Sequence, residues 1–175
     1  MKTKSGGFFP KYTAIVSGVL TAIILCVMNL FLIPETEANT GGIRCFDLNF
    51  GYDYSTASEF LRLTGTNGRD VYLNYQLPLD FIFPVIYTVF FISLIYILKK
   101  SFSPLAFLPV VLAAADYTEN FFLEIMLRSS VLSETTVRLA SAATVTKTIL
   151  MYLVILAVAA LIVGKAAAKL KSRKE

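Results

Sequence analysis

The chain has 175 residues, 56% of them hydrophobic, a formal charge of +4 and neither histidine nor tryptophan. Without histidine, the usual zinc hydrolase centres, histidine acid–base catalysis and Ser-His-Asp triads are excluded. The basic balance does not point to nucleic acid, because Lys and Arg flank long apolar blocks, and a mean hydropathy of +0.67 points to lipid.

The first apolar block runs from about Tyr12 to Leu32. It is longer than the ~7–15 residues of a signal-peptide core, and no small-x-small site follows it, so it is expected to remain as a span. Ser17, Gly18 and Thr21 form a small-residue stripe suited to close helix packing. Cys26 reads as a small packing residue, and a bridge to Cys45 would need the following loop to fold back onto the helix end.

Residues 33–78 form a long loop with the pattern of folded structure. From Phe46 to Tyr54 apolar and polar residues alternate, which predicts a strand or extended segment with one apolar face. Thr56 and Glu59 have the spacing of a capping box before a short amphipathic helix carrying Ala57, Phe60 and Leu61. Gly65 is expected to stop that helix, and Asn67 to cap a second one running through Tyr72 and Tyr75 toward Pro78. Gly41-Gly42 is the expected hinge. The loop reads equally as a lid over the bundle or as an interfacial belt.

Three more apolar blocks follow: 79–98, 105–126 and 139–163. Each has ~20 residues or more, enough to cross a ~30 Å hydrocarbon core. The expected fold is therefore an all-α integral membrane domain, a four-transmembrane-helix bundle with a structured extracytoplasmic loop between helices 1 and 2. Lys2, Lys4, Lys11, Lys99 and Lys100 fall on one side with the basic tail 164–175, which contains Lys165, Lys169, Lys171, Arg173 and Lys174. The positive-inside bias makes that side cytoplasmic, with both termini inside.

The third block is the unusual one. Asp116, Glu119, Asn120 and Glu124 lie within it, over an arc of about 140° at 100° per residue. In the fourth block, Lys147 lies about 12 Å in from Leu139, and Asp116 about 15 Å in from Met126, so the two share a depth. A Lys147–Asp116 or Lys147–Glu119 pair is expected. Asp80 and Asn29 sit near the same outer end of their blocks. A lone charge at the membrane centre costs about 2.5–3.5 kcal/mol on insertion scales, so these acids must pair, take up protons or line a wet cavity.

These residues define the expected ligand site: Asp116, Glu119, Asn120, Glu124, Lys147, Asp80 and Asn29. The expected ligand is small and cationic or amphipathic, bound or transported within the outer half of the bundle. Two other readings stay open. One is an intramembrane enzyme acting on a lipid-like substrate, with Asp116 and Glu119 as acid and base. The other is a structural or assembly subunit in which the ion pair fixes helix register. No cofactor, metal or nucleic acid is expected; the lipid bilayer is, and so is an oligomer through lipid-facing helices or the outer loop. Four spans with a large first loop occur in unrelated membrane families, so the plan carries no function by itself.

Overall fold

The structure is a computed structural model and describes residues 8–38 and 40–172, with side chains from Pro10 onward. Lys2, Lys4, Arg173 and Lys174, used above for orientation, lie outside the described residues. The fold is all-helical, 86% helix with no strand among the described residues. Three helical stretches, Pro10–Glu37, Tyr54–Lys99 and Glu134–Lys171, are long and apolar enough to cross a membrane.

Helix α1 (Phe8–Val27) continues through a π turn (Met28–Leu32) into a short helix α2 (Ile33–Glu37). Likewise α3 (Tyr54–Val71) continues through a π turn (Tyr72–Gln76) into α4 (Leu77–Lys99). The two π turns have one cause. Pro34 and Pro78 lack an N–H, and a helical proline ring collides with the carbonyl four residues back, here Leu30 and Asn74. Each of those residues is the middle one of a five-residue π turn. Widening the helix there accommodates the proline without ending the helix. The helix therefore runs on through Pro78 along α4.

Helix α5 (Leu108–Arg128) follows a 3-10 turn (Pro104–Phe107), and α6 (Glu134–Lys171) follows a five-residue link. That link is shorter than the twelve residues between the apolar blocks 105–126 and 139–163, because both helices extend past their blocks. Helix α4 packs against α1, α5 and α6, and α5 packs along α6. Gly18 faces Phe90, where an added Cβ would come within 2.9 Å of the ring, so α1 and α4 approach closely. Ile15, Val19 and Ile23 on the other faces of α1 are exposed, as are Leu153, Ile155 and Leu156 on α6. Such apolar exteriors suit a lipid environment.

The 46–54 segment is not a strand. It is a 3-10 turn (Phe46–Leu48) followed by extended backbone at Asn49. Alternation is produced instead by Phe46 turning inward, with its ring 4.9 Å from Tyr52 and 4.6 Å from Phe60. The cap of α3 also differs from expectation. Asp53, not Thr56, is the N-cap, and its carboxylate accepts from the Thr56 N–H. Those bonds hold the Asp53 carboxyl down at about 2, led by the Thr56 N–H. Glu59 pairs with Arg62. Gly65 breaks the regular helix at φ +63, where the stop was expected, but two helices abut across it.

Cys26 is exposed, contrary to the packing role expected of it, and Cys45 is fully buried; both are free thiols. The Cys45 N–H donates to Glu37 Oε1 at 2.6 Å, which ties the loop to the end of α2. The main hydrophobic core thus sits at the loop-covered end, where Phe46, Phe60 and Tyr72 meet Leu123, Met126 and Val137. A smaller apolar cluster of Tyr87, Leu112 and Val154 lies further along the helices.

Candidate functional site

The polar cluster is built on three helical stripes. On α6 the buried positions Val137, Ala140 and Thr144 recur at three and four residues, and Lys147, three further on, continues that series toward Val154 and Val158. On α5 the stripe runs through Leu112, Asp116, Glu119, Leu123 and Met126. On α4 it runs through Leu77, Asp80, Pro84 and Tyr87. This spacing keeps one face of each helix turned to its neighbours. Charged groups have therefore replaced apolar ones at core positions, at one level in three helices.

Lys147 Nζ lies 3.8 Å from Asp116 Oδ1 and forms an ion pair with Glu119 Oε2. The Asp116 side chain is 8% exposed, that of Glu119 0% and that of Lys147 17%. The Tyr87 hydroxyl donates to Asp116 Oδ2 at 2.9 Å. Glu119 Oε1 is buried with no hydrogen-bond partner among the described residues.

Asp80 is in a different position. It is buried, and its Oδ2 has no hydrogen-bond partner among the described residues. No Lys or Arg of the described residues pairs with it. Its main-chain carbonyl, by contrast, is satisfied in a specific way. Pro84, four residues on, has no N–H to offer it. Asn120 Nδ2 donates to that carbonyl at 2.8 Å, and the Tyr117 hydroxyl donates to the neighbouring Phe81 carbonyl at 3.0 Å. Asn120 and Tyr117 thus stitch α5 to the proline gap of α4. The amide of Asn120 is committed to the main chain.

A fourth acid comes from the loop. Asp47 Oδ1 accepts from the Tyr72 hydroxyl at 2.8 Å and from Gln76 Nε2 at 3.4 Å. Its charge is near enough to act on Asp80, Asp116, Glu119 and Lys147. Of these four carboxyl groups, Asp116 and Glu119 pair with Lys147, while Asp47 and Asp80 do not contact it. In the sequence, Asp47 is marked only by the alternating segment around it. Tyr87 lies seven residues after Asp80, two turns along the same face.

Two expected site residues lie elsewhere. Glu124 pairs with Arg128 at 2.8 Å, with 35% of its side chain exposed. It sits about 80° around the helix from Asp116, at the edge of the buried stripe, and close enough to the helix end to reach Arg128 one turn on. Asn29 is exposed and donates to the Leu25 carbonyl of its own helix at 2.8 Å. It lies on the π turn, where the widened backbone leaves local acceptors within reach. No group of three or more metal-ligating side chains suited to a metal ion occurs among the described residues. No protein-family model, curated protein or solved structure matches the chain.

Proposed function

We propose that this chain is a four-pass membrane protein that binds a small cationic ligand at the Asp80–Asp116–Glu119–Lys147 cluster, in the outer half of the bundle. In this reading α5 is the fourth crossing: its 21 residues reach about 32 Å, and its acids face protein rather than lipid. The loop 33–78 lies outside and both termini inside. Two features support that orientation. Lys165 Nζ donates to the Ile97 carbonyl at 3.3 Å, so the basic end of α6 lies beside Lys99 and Lys100. The opposite end carries Arg44, Arg62, Arg69, Arg128 and Arg138 together with most of the acids. Cysteines introduced at Ser101 and Ser130 test it: a membrane-impermeant maleimide should label Ser130→Cys from outside and Ser101→Cys only after permeabilisation.

The observation that carries the ligand reading is Asp80. A carboxyl group inside a membrane bundle, with Lys147 already held by two other acids, is left without a resident counter-charge. A cation entering from the loop side would supply that charge, and apolar walls would hold its body. The test is saturable binding of tetraphenylphosphonium to the protein in nanodiscs. Asp80→Asn should abolish it, while Glu124→Gln should not. Equal binding by both variants and the parent would remove the proposal. The complete enclosure of Glu119 favours the alternative of a static ion pair that sets helix register, and that alternative expects no saturable binding at all.

A further inference from the structure

A second feature of the molecule is independent of the carboxylate cluster. A groove of about 1080 Å³ runs between the start of α3 and the first turns of α6, at the upper end of ligand-pocket volumes, roughly 300–1,000 Å³. Its walls are tied together. The Tyr52 N–H donates to Ser141 Oγ at 2.9 Å, the Tyr54 hydroxyl reaches the Leu132 carbonyl at 3.5 Å, and Gly51 lies against Val145. From Glu134 to Thr146 the α6 wall extends about 18 Å along the helix axis.

The two ends of the groove differ in chemistry. At the end of α6 where the helix starts stand Asp53, Glu134 and Arg138, a formal charge of −1. The low titration of Asp53 keeps it ionised at neutral pH. Arg138 pairs with Glu134 at 2.8 Å but remains 78% exposed. Deeper along α6 the lining becomes Ala142, Val145 and the methyl of Thr146, within the stretch apolar enough to cross a membrane. Such a groove fits an amphiphile with a zwitterionic head and an apolar tail.

We infer that the groove holds one phospholipid with an amine headgroup. Its phosphate lies on Arg138, its ammonium between Asp53 and Glu134 beside the Tyr54 ring, and an acyl chain along Ala142 and Val145. Arginine suits phosphate, while paired acids and an aromatic face suit ammonium. The net negative head region disfavours an anionic lipid such as phosphatidylglycerol.

Native mass spectrometry tests this on the full chain, released from detergent with equal phosphatidylethanolamine and phosphatidylglycerol of matched acyl chains. One lipid should stay bound per chain, with the ethanolamine lipid preferred about tenfold. Ala142→Phe and Thr146→Phe, both at exposed positions that narrow the apolar end, should each lose it, with helicity by circular dichroism unchanged. Asp53→Asn, which keeps a capping oxygen, should erase the headgroup preference. Asp80→Asn should retain the lipid, which separates this site from the carboxylate cluster. Equal retention of both lipids, or retention undiminished in both phenylalanine variants, would overturn the inference.

Discussion

Replacing Lys147 by methionine removes the cation from between Asp116 and Glu119 while keeping most of the side-chain volume. Both acids are almost fully enclosed and lie in the bundle core, so neither can turn to water. Removing one partner of such a buried pair costs about 3–5 kcal/mol, because it leaves uncompensated charge. At about 1.4 kcal/mol per decade, that is a loss of two to nearly four powers of ten in the folding equilibrium. The comparison variant is Asp116→Asn/Glu119→Gln/Lys147→Met, which removes all three charges and should recover most of the loss. Unfolding by sodium dodecyl sulfate in bicelles, followed by circular dichroism, measures both. The exposed Glu124–Arg128 pair provides the scale: Glu124→Gln should cost only about 0.3–0.5 kcal/mol. A Lys147→Met variant within about 1 kcal/mol of the parent would match a solvated pair, and the buried-cluster reasoning would fail. So would a triple variant no more stable than the single one.

Other consequences are accessible to similar measurements. Tyr87→Phe removes the hydroxyl that donates to Asp116 Oδ2 and should cost about 1.5–3 kcal/mol in the same unfolding assay, as for a hydrogen bond to a charged group. Gly51 sits at φ +84 with Val145 Cγ2 3.1 Å from where a Cβ would lie. Gly51→Ala should loosen the loop by roughly 1–2 kcal/mol, read as faster amide exchange from Cys45 to Asp53. Asp53 titrates lower when folded than when unfolded, so its capping contribution is complete above the ordinary aspartate range near pH 4. That contribution is lost as pH falls through about 2. The Thr56 amide should lose exchange protection over that interval, and Asp53→Asn should remove the pH dependence. The Cys45 thiol is buried, and burial, then the charges of Asp47 and Glu37, push its titration upward; iodoacetamide at pH 8 should label it only after unfolding.

Much of the arrangement is set by local chain chemistry. Helical periodicity alone places Asp116 and Glu119 on one side of their helix, and counting residues from the helix ends puts Lys147 at the depth of Asp116. Both inferences use only the rise and turn of an α-helix, which is why they need no tertiary information. The same angular argument placed Glu124 with the expected site, and only the observed ion pair with Arg128 shows that its charge is satisfied elsewhere. Cys26 shows the same limit from the other side: its periodicity permits a packed position, and the face that α1 turns to α4 leaves it exposed.

Apolar block length, the acids of the third block and the asymmetry of lysine placement are properties of the chain as written, since each depends on neighbours within a few turns. The participation of Asp47, the stitching of the Asp80 and Phe81 carbonyls by Asn120 and Tyr117, and the lack of a Lys or Arg partner for Asp80 among the described residues were decided by tertiary structure. The hydrogen bonds among them join residues 25 to 40 positions apart, and no local period relates such pairs. Prolines 34, 78 and 84 lie between these levels. Their missing donors are certain from the sequence, but whether a helix widens into a π turn or borrows a side chain from its neighbour depends on what packs beside it.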